Sequence, residues 1–185
     1  MNVVGVDLSM TSTGLAHAVN GSLTANRRVQ SKGSKGDTLL SRHLRLQQIS
    51  GNVLGGIADL DPSLVVIEAP SFGSQTGSQH DRSGLWWLVV AALHDAGFPV
   101  AQVPPNTRAT YATGKGNAGK DAVLASVLRR YEQPGSPFYL IDGNDVADAT
   151  VLAAMGSRWA GVPIEDSLPQ THLRAMDGAE WPETL

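Results

Sequence analysis

The sequence predicts an α/β domain built on a five-stranded mixed β-sheet with helices on both faces. Three observations carry this. The segments run strand, strand, strand, helix, strand, helix, strand, helices. Residues 64–67, Leu-Val-Val-Ile, form the continuous apolar run that a parallel strand covered on both faces requires. Asn20-Gly21 joins two short strand-like stretches and is the strongest short hairpin signal, which adds an antiparallel pair. At 185 residues the chain fits one domain with a proper core. Residues 1–160 read as that domain, and 161–185 as an acidic, Pro-containing, loosely attached tail.

Taken in order, residues 3–14 open as a Val-rich run that reads as a buried central strand. Asp7 interrupts it, and a carboxylate in such a strand needs a partner. Residues 13–19 and 22–29 follow as strands. Arg27, Arg28, Lys32 and Lys35 surround a Ser/Gly-rich link that reads as a solvated loop. Asp37 is expected to cap a helix running to about residue 57, with Leu39, Leu44, Ile49, Val53 and Ile57 on its apolar face.

Pro62 restarts the chain ahead of strand 64–67, which ends in Glu68. Residues 70–83, rich in Gly, Ser and Gln and carrying Phe72, His80 and Arg82, read as a loop. Residues 85–93 would be apolar on all sides as a helix, which places them in the core or in a subunit contact with Trp86 or Trp87 at the interface. Strand 100–103, a short helix from Pro104-Pro105-Asn106, a second helix after the Gly-rich segment 114–120 and a loop at 134–137 complete the middle of the chain. Asp142-Gly143-Asn144 is expected to cap the last core helix, 145–159.

Composition narrows the chemistry. Without cysteine there is no disulfide framework, thiolate metal site or thiol nucleophile, which suits a reducing compartment. No basic stretch precedes the first apolar run, and 85–93 is too short to span a bilayer, so a cytoplasmic location with no membrane partner is expected. Net charge is −3, but residues 161–185 hold five acids against one base, which leaves residues 1–160 slightly basic. If metal neutralised the acidic cluster described next, the remaining surface would be distinctly basic. A nucleic-acid partner is neither demanded nor excluded.

Four carboxylates stand out: Asp7 on the first strand, Glu68 at the end of the fourth, and Asp145 and Asp148 three apart on one face of the last helix. Clustered oxygens without His or Cys suit Mg²⁺ or Mn²⁺. Two such ions would activate a water and stabilise the leaving oxygen of a phosphodiester. Each acid has an ordinary alternative, since acids favour a helix's first turn and strand ends commonly carry Glu. Asp7 is the hardest to explain that way.

Val4-Gly5-Val6-Asp7 with Thr13-Gly14, Val66-Ile67-Glu68, and residues 144–149 (Asn-Asp-Val-Ala-Asp-Ala) resemble the acidic motifs of RuvC-type Holliday junction resolvases of the RNase H-like superfamily. Residues 114–123 resemble that family's Gly-rich, Lys-bearing segment, so the likeness runs over about 3–158. It implies an RNase H-like sheet, a homodimer and Mg²⁺-dependent cleavage of branched DNA. Asp7, Glu68, Asp145 and Asp148 would be the metal ligands, with two ions per site. Lys120 would contact phosphate near the attacked bond, a role that also suits a Lys at a helix N-terminus. Phe72, Arg82 and Lys115 would be further DNA contacts, although Phe72 is displaced by one residue from the family's aromatic, in a longer loop.

Other readings remain open on these residues. A flap- or fork-cleaving nuclease would carry the same carboxylates. Gly5-Val6-Asp7 followed by Ser9, Thr11, Ser12 and Thr13 also resembles the first phosphate loop of actin-like ATPases and sugar kinases, whose two-domain cleft needs a longer chain. A non-catalytic module that binds branched DNA is the third alternative.

Overall fold

The first strand, β1 (Asn2–Asp7), lies at the centre of a five-stranded sheet because its valines are wanted on both faces. Val3 enters one apolar cluster, and Val4 and Val6 enter the other. β2 (Ser12–Val19) and β3 (Ser22–Gln30) extend the sheet antiparallel on one side, while β4 (Leu64–Glu68) and β5 (Val100–Val103) extend it parallel on the other. The order is β3-β2-β1-β4-β5. The structure, a computed structural model, describes residues 1–70, 79–132 and 140–185. The expected loop at 134–137 and Phe72 lie outside the described residues.

Helices cover both faces, as the sequence predicts. On one side α1 (Leu39–Ala58) and α2 (Gln79–Asp95) bury Ile49, Val53, Ile57, Leu85 and Val89 against Val65 and Ile67 of β4. On the other, α3 (Pro105–Thr113), α4 (Lys120–Tyr131) and α5 (Asn144–Trp159) pack against Leu64 and Val66. The alternation along β4 is the period-two rule in a strand with no solvent face. The hairpin between β2 and β3 turns at Asn20 (φ 47°) and Gly21 (φ 79°), the paired positive φ of a two-residue turn.

Several boundaries differ from expectation. Thr38, not Asp37, caps α1: its hydroxyl accepts from the Ser41 N–H at 3.2 Å, while Asp37 accepts from the Ser34 N–H at 2.9 Å. Residues 79–83 are not loop but the first turn of α2. Their polar composition hides a tertiary support, a two-pronged ion pair from Arg42 of α1 to Asp81 with Nε–Oδ2 at 2.9 Å. Gly143, without a side-chain bond, precedes α5. Residues 85–93 are apolar all round yet buried on one side only; Trp86 is in the core, whereas Trp87 is 65% exposed.

The C-terminal residues are not loosely attached. Glu165 is buried, its carboxylate accepting from the Tyr111 hydroxyl at 3.0 Å and from Arg158 Nη2 at 3.0 Å, with the Tyr131 hydroxyl as a third donor. Trp181 stacks on Trp159 at 5.3 Å, and Gln102 and Glu180 exchange backbone bonds of 2.9 and 2.8 Å along the β5 edge. A short helix, α6 (Gln170–Leu173), and a 3₁₀ turn (Arg174–Gly178) fill the interval. Acidic composition suggested a solvated tail; the partners of its one buried acid lie on α3, α4 and α5. Among the described residues no helix is long and apolar enough to cross a membrane.

Candidate active site

The site forms where two parallel strands end side by side. Val6 pairs with Ile67, so Asp7 and Glu68 follow at the same end of adjacent strands. This is where α/β sheets commonly place their chemistry. The third carboxylate arrives because α5 lies almost directly on the sheet. A Cβ on Gly5 would sit 2.1 Å from the Ala149 carbonyl oxygen, and one on Gly14, the partner of Asp7 in β2, 2.1 Å from that of Asp145. Only glycine permits this approach. It carries Asp148, in the second turn of α5, to the ends of β1 and β4.

The three acids act on one another's ionisation. Burial, then the charges of Glu68 and Asp148 and a hydrogen bond with Glu68, push the Asp7 carboxyl well above its usual range. Burial raises Asp148 to about 6, with Glu68 adding to the shift and Arg108 and Lys120 opposing it. Arg108, from the first turn of α3, lies between two of the acids: its Nε donates to Glu68 Oε1 at 2.8 Å and its Nη1 to Asp148 Oδ1. The Glu68 carbonyl accepts from Trp86 Nε1 at 2.9 Å.

Asp145 is placed differently. Arg28 Nη2 donates to its Oδ1 at 2.7 Å and Ser12 donates to Oδ2, while Arg28 also reaches Asp142 at 3.0 Å. Burial works to raise the Asp145 carboxyl, but the bonds from Arg28 and Ser12 outweigh it and hold it below the ordinary value. Lys120 is exposed at the start of α4 and faces Asp148 electrostatically. Lys120 and Arg82 line a cleft of about 500 Å³ with Glu68, Arg45 and Trp86, whereas Lys115 is exposed in the preceding loop.

Neighbouring hard oxygens, two of them raised by burial and by the charges beside them, suit a divalent cation such as Mg²⁺ or Mn²⁺ by donor type. Among the described residues no three His, Asp or Glu side chains converge closely enough to hold an ion as they stand. Arg108 instead spans Glu68 and Asp148.

Arg108, Arg28, Ser12 and Trp86 were not singled out as site residues from the sequence. One signal for Arg108 was available: it is the lone charged residue of the short helix that follows β5. Arg28 read as part of a solvated basic cluster, and its acidic partners lie more than a hundred residues away.

The sheet order and the helices on its two faces are those of the RNase H-like fold in its RuvC form. The structure of Thermus thermophilus RuvC superposes with a TM-score of 0.65 at 23% identity, covering 88% of this chain and 98% of that one. T. thermophilus RuvC in complex with a Holliday junction substrate gives 0.63 at 24% identity, covering 83% and 90%. In sequence, the crossover junction endodeoxyribonuclease RuvC of Porphyromonas gingivalis is 31% identical over 91 residues, 49% of this chain and 48% of that protein. The matched segment thus spans about half the length of that curated relative. No protein-family model matches the chain. The resemblance to RuvC-type Holliday junction resolvases therefore stands on sequence and on fold.

Proposed function

We propose that this protein is a metal-dependent endonuclease that cuts branched DNA, with the four-way junction as its substrate. The observation that carries the reading is that Asp7 and Glu68 end adjacent parallel strands while Arg108 ties Glu68 to Asp148 of α5, in a chain that superposes on RuvC. Asp7, Glu68 and Asp148 would hold Mg²⁺ or Mn²⁺, with Asp145 the fourth ligand of a two-ion site. When bound, such ions supply Lewis-acid activation of water and stabilisation of the leaving oxygen.

The chain's own groups do the rest. Lys120 offers a point charge to a backbone phosphate beside Asp148, and Arg82 and Arg45 add positive charge along the same cleft. Trp86 holds the Glu68 backbone through its indole N–H. Arg28 and Ser12 keep Asp145 ionised and oriented. Opposed cuts in a four-way junction need two sites related by symmetry, so the reading includes a homodimer. Exposed Trp87 and Leu88 on α2 suit that contact, while Trp86, buried in its own core, does not.

The test is a cleavage panel of four-way junction, flap, fork, linear duplex and RNA–DNA hybrid, with Mg²⁺ and with chelator. Paired symmetric nicks in the junction, absent with chelator, are expected. Preference for flaps would redirect the substrate. Asp7→Asn should lower cleavage at least about a thousandfold while branched-DNA binding persists; undiminished metal-dependent cutting by that variant would sink the assignment.

A further inference from the structure

Arg108 places a cation among the acids that the proposed reaction reserves for a metal. Its side chain is 11% exposed, against 14% for Glu68 and 10% for Asp148, so all three charges are largely withdrawn from water. Withdrawn carboxylates without a counter-ion are costly, and a guanidinium fork is well suited to two at once. The oxygens it engages, Glu68 Oε1 and Asp148 Oδ1, belong to two of the three acids that would hold the metal.

The backbone behind Arg108 is braced from the far side. The Tyr111 hydroxyl bonds Glu165 and accepts from Arg158 Nε at 2.9 Å; the Tyr111 carbonyl accepts from Arg130 at 3.2 Å and lies 2.7 Å from His172 Nδ1. These contacts do not involve the Arg108 side chain, so an exchange there leaves them intact.

We infer that Arg108 is a built-in counter-ion that competes with the catalytic cation: it holds Glu68 and Asp148 in the metal-free protein and surrenders their oxygens when metal enters. This rests on the metal-site reading above. It makes Arg108 a positioning residue that preserves the site between loadings. It also makes metal binding weaker than the three carboxylates alone would give.

The experiment measures Mn²⁺ binding by electron paramagnetic resonance at pH 8, and thermal melting in chelator and in excess Mn²⁺. It compares the wild-type chain with Arg108→Gln, Arg108→Lys and Arg129→Gln, the last an exposed cation of α4. Arg108→Gln should bind Mn²⁺ about tenfold or more tightly, since a competing charge is gone. It should melt lower than wild type in chelator and recover in Mn²⁺. Arg108→Lys, which keeps the charge but loses the fork, should fall between, and serves alone if the Gln variant does not fold. Arg129→Gln should match wild type within about twofold. If wild type binds Mn²⁺ and the Arg108 variants bind it no more tightly, the inference is overturned. If wild type binds no Mn²⁺, the metal-site reading fails and the inference with it.

Discussion

Trp86 Nε1 donates to the carbonyl oxygen of Glu68 at 2.9 Å, so a core side chain of α2 fixes the backbone of a site carboxylate. Trp86 is 8% exposed, and its ring meets Trp87 edge-on at 4.9 Å. Replacing it with Phe keeps most of the apolar area and removes the donor, leaving a carbonyl at the end of β4 without that partner. We expect Trp86→Phe to lose about 1 kcal/mol of stability and to cut DNA several-fold more slowly. Urea unfolding and single-turnover cleavage check this, and unchanged cleavage would show that Glu68 does not need the brace.

Gly14 sets how closely α5 approaches the sheet. A methyl group there would meet the Asp145 carbonyl at 2.1 Å, a backbone atom that cannot turn aside. Gly14→Ala should move the start of α5 outward, cost about 2 kcal/mol or more, and separate Asp148 from Asp7. Melting together with cleavage should both fall. A variant with wild-type stability would mean that α5 shifts freely, contrary to its burial against β1 and β2.

The acid at the heart of the site predicts a pH dependence with a definite sign. Asp148 titrates at about 6 in the fold against 3.8 for a free Asp. Between those values the folded protein holds a proton that the unfolded chain has lost. In chelator, Asp148 should therefore add a fall in stability of roughly 3 kcal/mol at most as pH rises from about 4 to about 6, beside the fall that the raised Asp7 carboxyl contributes. Asp148→Asn should remove its own share of that fall. Cation affinity should run the other way, rising with pH through 6 as the carboxylate ionises. Unfolding curves at pH 4.5 and 7 for both proteins decide it.

Glu165 predicts the weight of the C-terminal segment. Its side chain is 5% exposed and neutralises Arg158, while Tyr111 and Tyr131 depend on it for a hydrogen-bond partner. Burial, with the Glu165 charge beside them, pushes both phenols well above their ordinary range, so they stay protonated as donors. Glu165→Ala should cost about 3 kcal/mol or more, because it takes the buried counter-charge from Arg158 and the acceptor from two hydroxyls. Glu165→Gln should cost less. Thermal melting checks the ranking, and an Ala variant as stable as wild type would restore the reading of 161–185 as a loosely attached tail.

The sequence by itself determined the sheet and singled out the candidate acids. Period-two and continuous apolar runs, the Asn20-Gly21 turn and the Pro and Gly breaks are local signals, so strands 64–68 and 100–103 and the hairpin were legible without tertiary information. Asp7 was legible because a carboxylate in a buried strand contradicts its surroundings. What only the tertiary structure decided is the company these acids keep. Arg108 and Arg28 meet carboxylates 40 and 117 residues away, and nothing local marks either pairing. The same holds for residues 79–83, whose Asp81 pairs with Arg42 of α1, and for Glu165, buried by side chains from three helices. Charge pairing acts across the folded distance, which spacing along the chain does not encode.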